Sequence, residues 1–263
     1  MEWLQALILG LIQGLTEFIP ISSSGHLVIA QTFMSGASDH LFLEFINIGT
    51  LLALLVFFRA RIWGIVTDIF QHRKYKLALN IIITSVPAGI VGYLLADFIQ
   101  ATPSFFGSAV VVAVTLAVVG IVMIVLEKLP HASAVKDGEQ LSPWRAFAIG
   151  VAQMMALIPG VSRSGATIIA GRLSGLKPAE AAEYSFLASL PIMIGVTLKV
   201  LASDHQYLAD NLGTLLVSNL FAFIAGLVAV GFLMRYLAKH SLAVFGWYRL
   251  GLAAVLTVIL LVQ

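Results

Sequence analysis

The sequence predicts an all-α integral membrane protein with about six transmembrane helices, two re-entrant helix pairs and an inverted internal repeat. Composition is the first reason: of 263 residues, 60% are hydrophobic and 11% charged, with a mean hydropathy of +1.00. Soluble domains carry about 25% charged residues, and a soluble core of this size has no use for so much apolar surface. The solvent is a bilayer. The second reason is a set of apolar stretches close to the ~20 residues that a bilayer core demands. The third is a serine-rich interruption that occurs twice, 140 residues apart.

The first element, 3–34, is apolar but broken by Pro20, by Ser22, Ser23 and Ser24, and by Gly25. It reads as two short helices that dip in and return, since non-helical backbone at membrane depth needs protein or a water-filled cavity around it. With no Lys or Arg before Arg59 and no evident cleavage site, it is expected to belong to the mature fold and not to a signal peptide. Spans are expected at 42–58, 77–96 and 106–126. A second broken element, 144–175, precedes spans at 178–201, 214–234 and 243–262. In the last of these, Trp247, Tyr248 and Arg249 read as interfacial anchors. Glu44, Glu180 and Glu183 lie near helix starts, where interfacial capping suffices.

Lys and Arg orient the chain. Segment 59–76 carries Arg59, Arg61, Arg73, Lys74 and Lys76, a solvated face suited to anionic headgroups. Loop 127–145 carries Lys128, Lys136 and Arg145, and 235–249 carries Arg235, Lys239 and Arg249. Segments 1–41, 97–105 and 202–213 carry none. The positive-inside rule puts the basic segments in the cytoplasm and the others, with both termini, outside. Lys199 lies near an outer helix end and is expected to snorkel.

A shift of 140 residues lays 153–170 on 13–30 without a gap, matching at Gln, two Ser, Gly, Ile and Ala. Each half is then a broken hairpin plus three spans of opposite orientation, 1–126 and 142–263. In such a repeat the breaks meet near the midplane and aim helix termini at a ligand.

The residues at the breaks suit a phosphate. Ser22 to Gly25 and Ser162 to Gly165 look like caps of returning helices, whose free N–H groups attract anions. Arg163 adds a planar fork, and Thr167 lies one turn beyond it on the same face. Glu17 is four residues after Gln13, and His26 three after Ser23, so each pair shares a face. Together they suggest phosphoryl transfer: a hydroxyl attacks, and Glu17 or His26 moves a proton or holds a metal. Taken singly, the serines suit close helix packing, Gln13 a supporting polar group, and His26 a hydrogen-bonded interior group. Glu17 and Arg163 do not, because ionisable groups at mid-membrane are costly. The net charge of +2, without a basic aromatic patch, excludes nucleic acid. The absence of cysteine excludes disulfides, thiolate metal sites and cysteine nucleophiles. A rival reading is a transporter or flippase of a phosphorylated lipid or other anion, for which inverted repeats with broken helices are a known architecture.

QGLTEFIPISSSGH (13–26) resembles the first signature of the bacitracin-resistance family of undecaprenyl-diphosphate phosphatases, and PGVSRSGAT (159–167) resembles the second. The resemblance spans essentially the whole chain. It implies an inner-membrane enzyme that removes the terminal phosphate of a polyprenyl diphosphate lipid with a divalent cation, Mg²⁺ or Ca²⁺. By motif, Glu17 is the active-site carboxylate and metal ligand, with Gln13 where relatives carry Glu or Gln. Ser22, Ser23 and His26 fall on the first motif's functional positions, and Ser162, Arg163, Ser164 and Thr167 on the second's. On this reading Ser23 is the nucleophile with Ser22 in reserve, His26 an acid/base, and Arg163 neutralises the phosphoryl group. Gln13, Ser24 and Gly165 are expected to contact substrate with the motif serines and Thr167. The partners are the lipid substrate and the bilayer; a homodimer is possible. Gln13 supplies no second carboxylate, which shifts weight to Glu17 and the diphosphate itself.

Overall fold

The computed structural model describes residues 2–35, 39–129 and 135–262. Parts of two topology-bearing segments, 36–38 and 130–134, lie outside the described residues. Helices follow one another as α1 (Trp3–Phe18), α2 (Ser23–Ser35), α3 (His40–Phe45), α4 (Asn47–Phe57), α5 (Arg59–Phe70), α6 (Lys76–Leu94), α7 (Ala96–Ala101), α8 (Pro103–Phe106) and α9 (Ala109–Leu126). The second half contains α10 (Pro143–Met154), a 3₁₀ turn (Met155–Leu157), α11 (Arg163–Leu173), α12 (Pro178–Ser203), α13 (His205–Asp210), α14 (Leu212–Leu237) and α15 (Ala243–Val262).

Five helices, α6, α9, α12, α14 and α15, are long and apolar enough to cross a bilayer. The span expected at 42–58 differs from a single rod. It restarts at Asn47, and beyond Phe58 the chain bends by 68° into α5. No residue of α5 is buried, and Trp63 and Phe70 are exposed beside Arg59 and Arg61, as an interfacial helix requires. Arg61 Nε reaches Glu183 Oε1 at 2.9 Å, so Glu183 ties α5 to α12 and does more than cap.

Both hairpins break for the same local reason. Ile19 and Ile158 precede prolines, which push the preceding residue out of the helical region, and both are extended. The chain re-enters a helix through a left-handed serine, Ser22 at φ 75° and Ser162 at φ 74°. A non-glycine residue held there costs about 1–3 kcal/mol and persists only where its surroundings fix it. Each serine recovers part of that as a cap: Ser22 Oγ accepts from Gly25 N at 3.3 Å, and Ser162 Oγ from Gly165 N at 3.1 Å.

Packing is paired in the same way. α1 lies against α14 and α10 against α6, while α4 meets α14 and α12 meets α6. Gly10 and Gly150 permit the first two contacts, since a Cβ would strike the carbonyl oxygen of Ser218 or of Thr84. Without a hydrophobic drive between helices in lipid, such close approach is the main source of association. Phe18 packs edge-on to Phe186, their centroids 5.6 Å apart, on one side of the hairpin tips. Leu9, Phe45 and Ile46 form a second apolar cluster, so the residues flanking Glu17 and Asn47 are clamped between two dry regions.

Candidate active site

Glu17 sits in the last turn of α1, where its carboxylate meets the start of both returning helices. Oε1 accepts from Arg163 Nη2 at 2.5 Å. Oε2 accepts from Ser23 Oγ at 2.5 Å and from Gln13 Nε2 at 3.2 Å. Gln13, one helical turn back, also donates to Asn47 Oδ1 at 2.7 Å. Ser23 and Arg163 thus face one another across the two oxygens of one carboxylate. Their positions are equivalent under the 140-residue shift.

A cavity of about 230 Å³ lies at this cluster, lined in part by Gln13, Glu17, Ser23, Ser24, Asn47, Ser162 and Arg163. Glu17 and Arg163 keep only 12% and 19% of their side-chain surface exposed, so water screens the pair weakly while the cavity still reaches it. The arrangement presents a hydroxyl on a carboxylate, a guanidinium beside it and the N-termini of α2 and α11, both of which favour negative charge.

The other expected residues divide. Ser22 and Ser162 are buried caps, hydrogen-bonded to Ser24 Oγ at 3.3 Å and Ser164 Oγ at 3.1 Å. Ser164 also donates to the backbone oxygen of Glu17 at 3.4 Å, tying the hairpins together. Thr167 is buried, with its hydroxyl 2.8 Å from Arg163 O and 2.5 Å from Ser185 Oγ, so it steadies α11. Gly165 is buried in the first turn of α11. Neither Thr167 nor Gly165 lines the cavity. His26 does not line it either: Nδ1 lies 2.7 Å from Ser22 O and Nε2 2.8 Å from Tyr248 Oη, with the rings stacked. The shared face of Ser23 and His26 therefore does not bring the imidazole to Glu17.

Two supporting residues were not anticipated. Asn47 orients Gln13 from α4; its only sequence signal is an amide inside an apolar run. Arg249, expected to anchor at the interface, is instead fully buried and donates to backbone carbonyls at both breaks. The correction has a physical cause: α15 packs on α9 at Gly120 and Gly246, which turns the residue three positions later inward. Thr115 on α9 helps by donating to Pro159 O at 2.7 Å.

The family model described as bacitracin resistance protein BacA matches residues 6–255. The chain belongs to that family. Among BacA-family relatives, it is 35% identical over 263 residues to an undecaprenyl-diphosphatase 2 of Paramagnetospirillum magneticum, covering 99% of this chain and all of the relative. It is 37% identical over 257 residues to an undecaprenyl-diphosphatase of Nitrosomonas eutropha, covering 95% and 93% of the two chains. An undecaprenyl-diphosphatase of Clavibacter michiganensis is 38% identical over 270 aligned positions, covering 99% and 97%. The matched residues, 6–255, include every residue of the cluster described above.

Proposed function

We propose that this chain is a membrane phosphatase that cleaves undecaprenyl diphosphate to undecaprenyl phosphate and inorganic phosphate. It thereby recycles the lipid carrier for cell-wall polymer synthesis and confers bacitracin resistance. The observation that carries this reading is the Glu17 carboxylate held between the Ser23 hydroxyl and the Arg163 guanidinium, each at 2.5 Å. The relatives' names supply the substrate.

In the first step Ser23 Oγ attacks the terminal phosphorus. The Oγ–P bond forms as the bridging P–O bond breaks, and its electron pair leaves with the lipid monophosphate. The Ser23 proton passes to Glu17 Oε2, its hydrogen-bond acceptor. Glu17 gives that proton up to the departing phosphate. Water then attacks the phosphoserine phosphorus with Glu17 again as base: the new O–P bond forms as the Oγ–P bond breaks, inorganic phosphate departs, and Glu17 returns the proton to Ser23 Oγ. Arg163 moves from Glu17 Oε1 to the phosphoryl oxygens as charge develops there. His26 holds the first hairpin through Ser22 O and Tyr248.

A divalent cation fits only as a shared guest. Among the described residues no three His, Cys, Asp or Glu side chains gather to hold a metal. Hard cations such as Mg²⁺ or Ca²⁺ are nevertheless bound by one carboxylate with substrate phosphates and water. Glu17 is the one such ligand here, so the diphosphate completes the set. When bound, the cation would supply neutralisation of phosphate charge.

Beside the cavity an apolar groove of about 730 Å³ runs between α6 and α12. Residues adjacent in sequence line the two spaces: Leu43 and Ala156 the cavity, Glu44 and Leu157 the groove. We assign the polyprenyl tail to this groove. Gly195 lines it, and a Cβ there would meet nothing within 4 Å, so a substituted side chain leaves the backbone into open space at the groove. Displacing about two buried methylenes costs roughly 1.5 kcal/mol, or about tenfold. Gly195→Trp is therefore expected to raise KM for the long lipid about tenfold and leave a short prenyl diphosphate nearly unaffected. Equal effects on both would remove the tail from the groove.

The paired packing and matched serine caps support reading 1–126 and 142–263 as inverted repeats. With basic segments inside, both termini lie on the outer side of the bacterial inner membrane. Reporter fusions after Ala101 and Asp210 should read external, and one within 131–140 cytoplasmic; an internal signal after Ala101 would reverse the orientation. A transporter of phosphorylated lipid would use the same helix termini and arginine but no nucleophile. Phosphate release from the lipid diphosphate by purified protein, lost in Ser23→Ala, supports hydrolysis. Lipid movement across vesicles without phosphate release overturns it.

A further inference from the structure

The strongest feature outside the cavity is Arg249. Its side chain is fully buried and does not line the cavity. A guanidinium in the membrane interior is costly unless its donors find partners; both terminal nitrogens of Arg249 do, while its buried Nε has none among the described residues. Nη1 donates to Pro20 O at 3.0 Å, and Nη2 to Gly160 O at 2.5 Å and Val161 O at 2.7 Å. Those carbonyls lie one or two residues before the left-handed serines Ser22 and Ser162, where the backbone has left one helix and not yet entered the next. In the bilayer such carbonyls must find a partner within the protein. Among the described residues no carboxylate pairs with Arg249.

We propose that Arg249 is the positioning residue of the site, one rigid fork that holds both hairpin breaks in a single frame. Ser23 and Arg163 each follow their left-handed serine directly, so fixing the two breaks together fixes the separation between hydroxyl and guanidinium. Ser23 and Arg163 can then reach opposite oxygens of Glu17 at once. Lysine cannot replace this fork: its ammonium is a point charge on a flexible stem and cannot present two parallel nitrogens to two hairpins. The kinetic arm of the test rests on the phosphatase reading, and the backbone arm does not.

Arg249→Met and Arg249→Lys, purified in detergent, are compared with wild type by steady-state kinetics and by amide hydrogen exchange of segments 18–26 and 158–166. Misplacement of reacting groups by ~1 Å costs up to ~10²-fold, so kcat is expected to fall about thirtyfold in Arg249→Met, with KM within about threefold. Arg249→Lys should recover only part of kcat. Both segments should exchange about tenfold faster in Arg249→Met, reflecting the loss of one constraint common to two local openings. Faster exchange at one break only, or unchanged exchange at both, overturns the proposal, as does a folded Arg249→Met enzyme with wild-type kcat. Where Arg249→Met does not fold, Arg249→Lys, which keeps the charge and loses the fork, must loosen both segments, and normal exchange there overturns the proposal equally. A wild type that releases no phosphate, with both breaks loosened in the variant, would sink the hydrolase reading and uphold Arg249 as the clamp.

Discussion

Glu17→Gln is expected to lower turnover by about 10²–10⁴, the usual loss for one positioned proton-transfer group. The substitution is nearly isosteric, so the fold should survive. Its effect comes from donor and acceptor count. The carboxylate accepts from Ser23 on one oxygen and from Arg163 on the other. A glutamine has one acceptor oxygen and an NH₂ that must face either Arg163, donor against donor, or Ser23, where it cannot take the proton. Gln13→Glu should behave oppositely. Its amide lies 3.2 Å from Glu17 Oε2, so a second carboxylate there forms a closer pair of oxygen ligands that tightens divalent-cation binding, and the cation offsets the repulsion between the two carboxylates. Phosphate release measured against cation concentration checks both variants. A folded Glu17→Gln protein that keeps most of its activity would remove Glu17 from the mechanism.

What the sequence made legible follows from what is local. Pro20 and Pro159 break their helices through the residue before them, and each serine cap spans four residues, so the hairpins could be read from nearby residues. Glu17, Ser23 and Arg163 stood out because charges and hydroxyls are conspicuous in an apolar chain, and the 140-residue shift set Ser23 opposite Arg163. Contacts between distant helices were another matter. Asn47 is 34 residues from the Gln13 it orients, and within an apolar run it reads as a tolerated amide. Arg249, beside Trp247 and Tyr248, looks like part of an aromatic belt. Only the close packing of α15 on α9 turns it inward. His26 shows the converse: helical spacing gives the face, but its ring meets Tyr248, 222 residues away, which no local pattern reveals.

Arg163→Lys should fail although charge is retained. The guanidinium lies 2.5 Å from Glu17 Oε1 at the N-terminus of α11, and it can grip two phosphate oxygens in parallel when substrate displaces the carboxylate. An ammonium offers three diverging donors on a flexible stem, so it keeps the potential of the site and loses the geometry. Removing one preorganised donor from a developing oxyanion costs about 10²–10³ in kcat. That loss is expected here with a smaller change in KM, because the contact strengthens as phosphoryl charge develops and not on binding. Glu17 would also be released: without the Nη2 donor on Oε1, its carboxylate can turn away from Ser23, so the hydroxyl and its base separate in the same variant. The measurement is kcat and KM for the lipid diphosphate in wild type and Arg163→Lys, with melting curves matched to exclude unfolding. A lysine enzyme with near-normal kcat would reduce Arg163 to a source of local positive potential, and pairing across the two hairpins would no longer explain why Ser23 faces it.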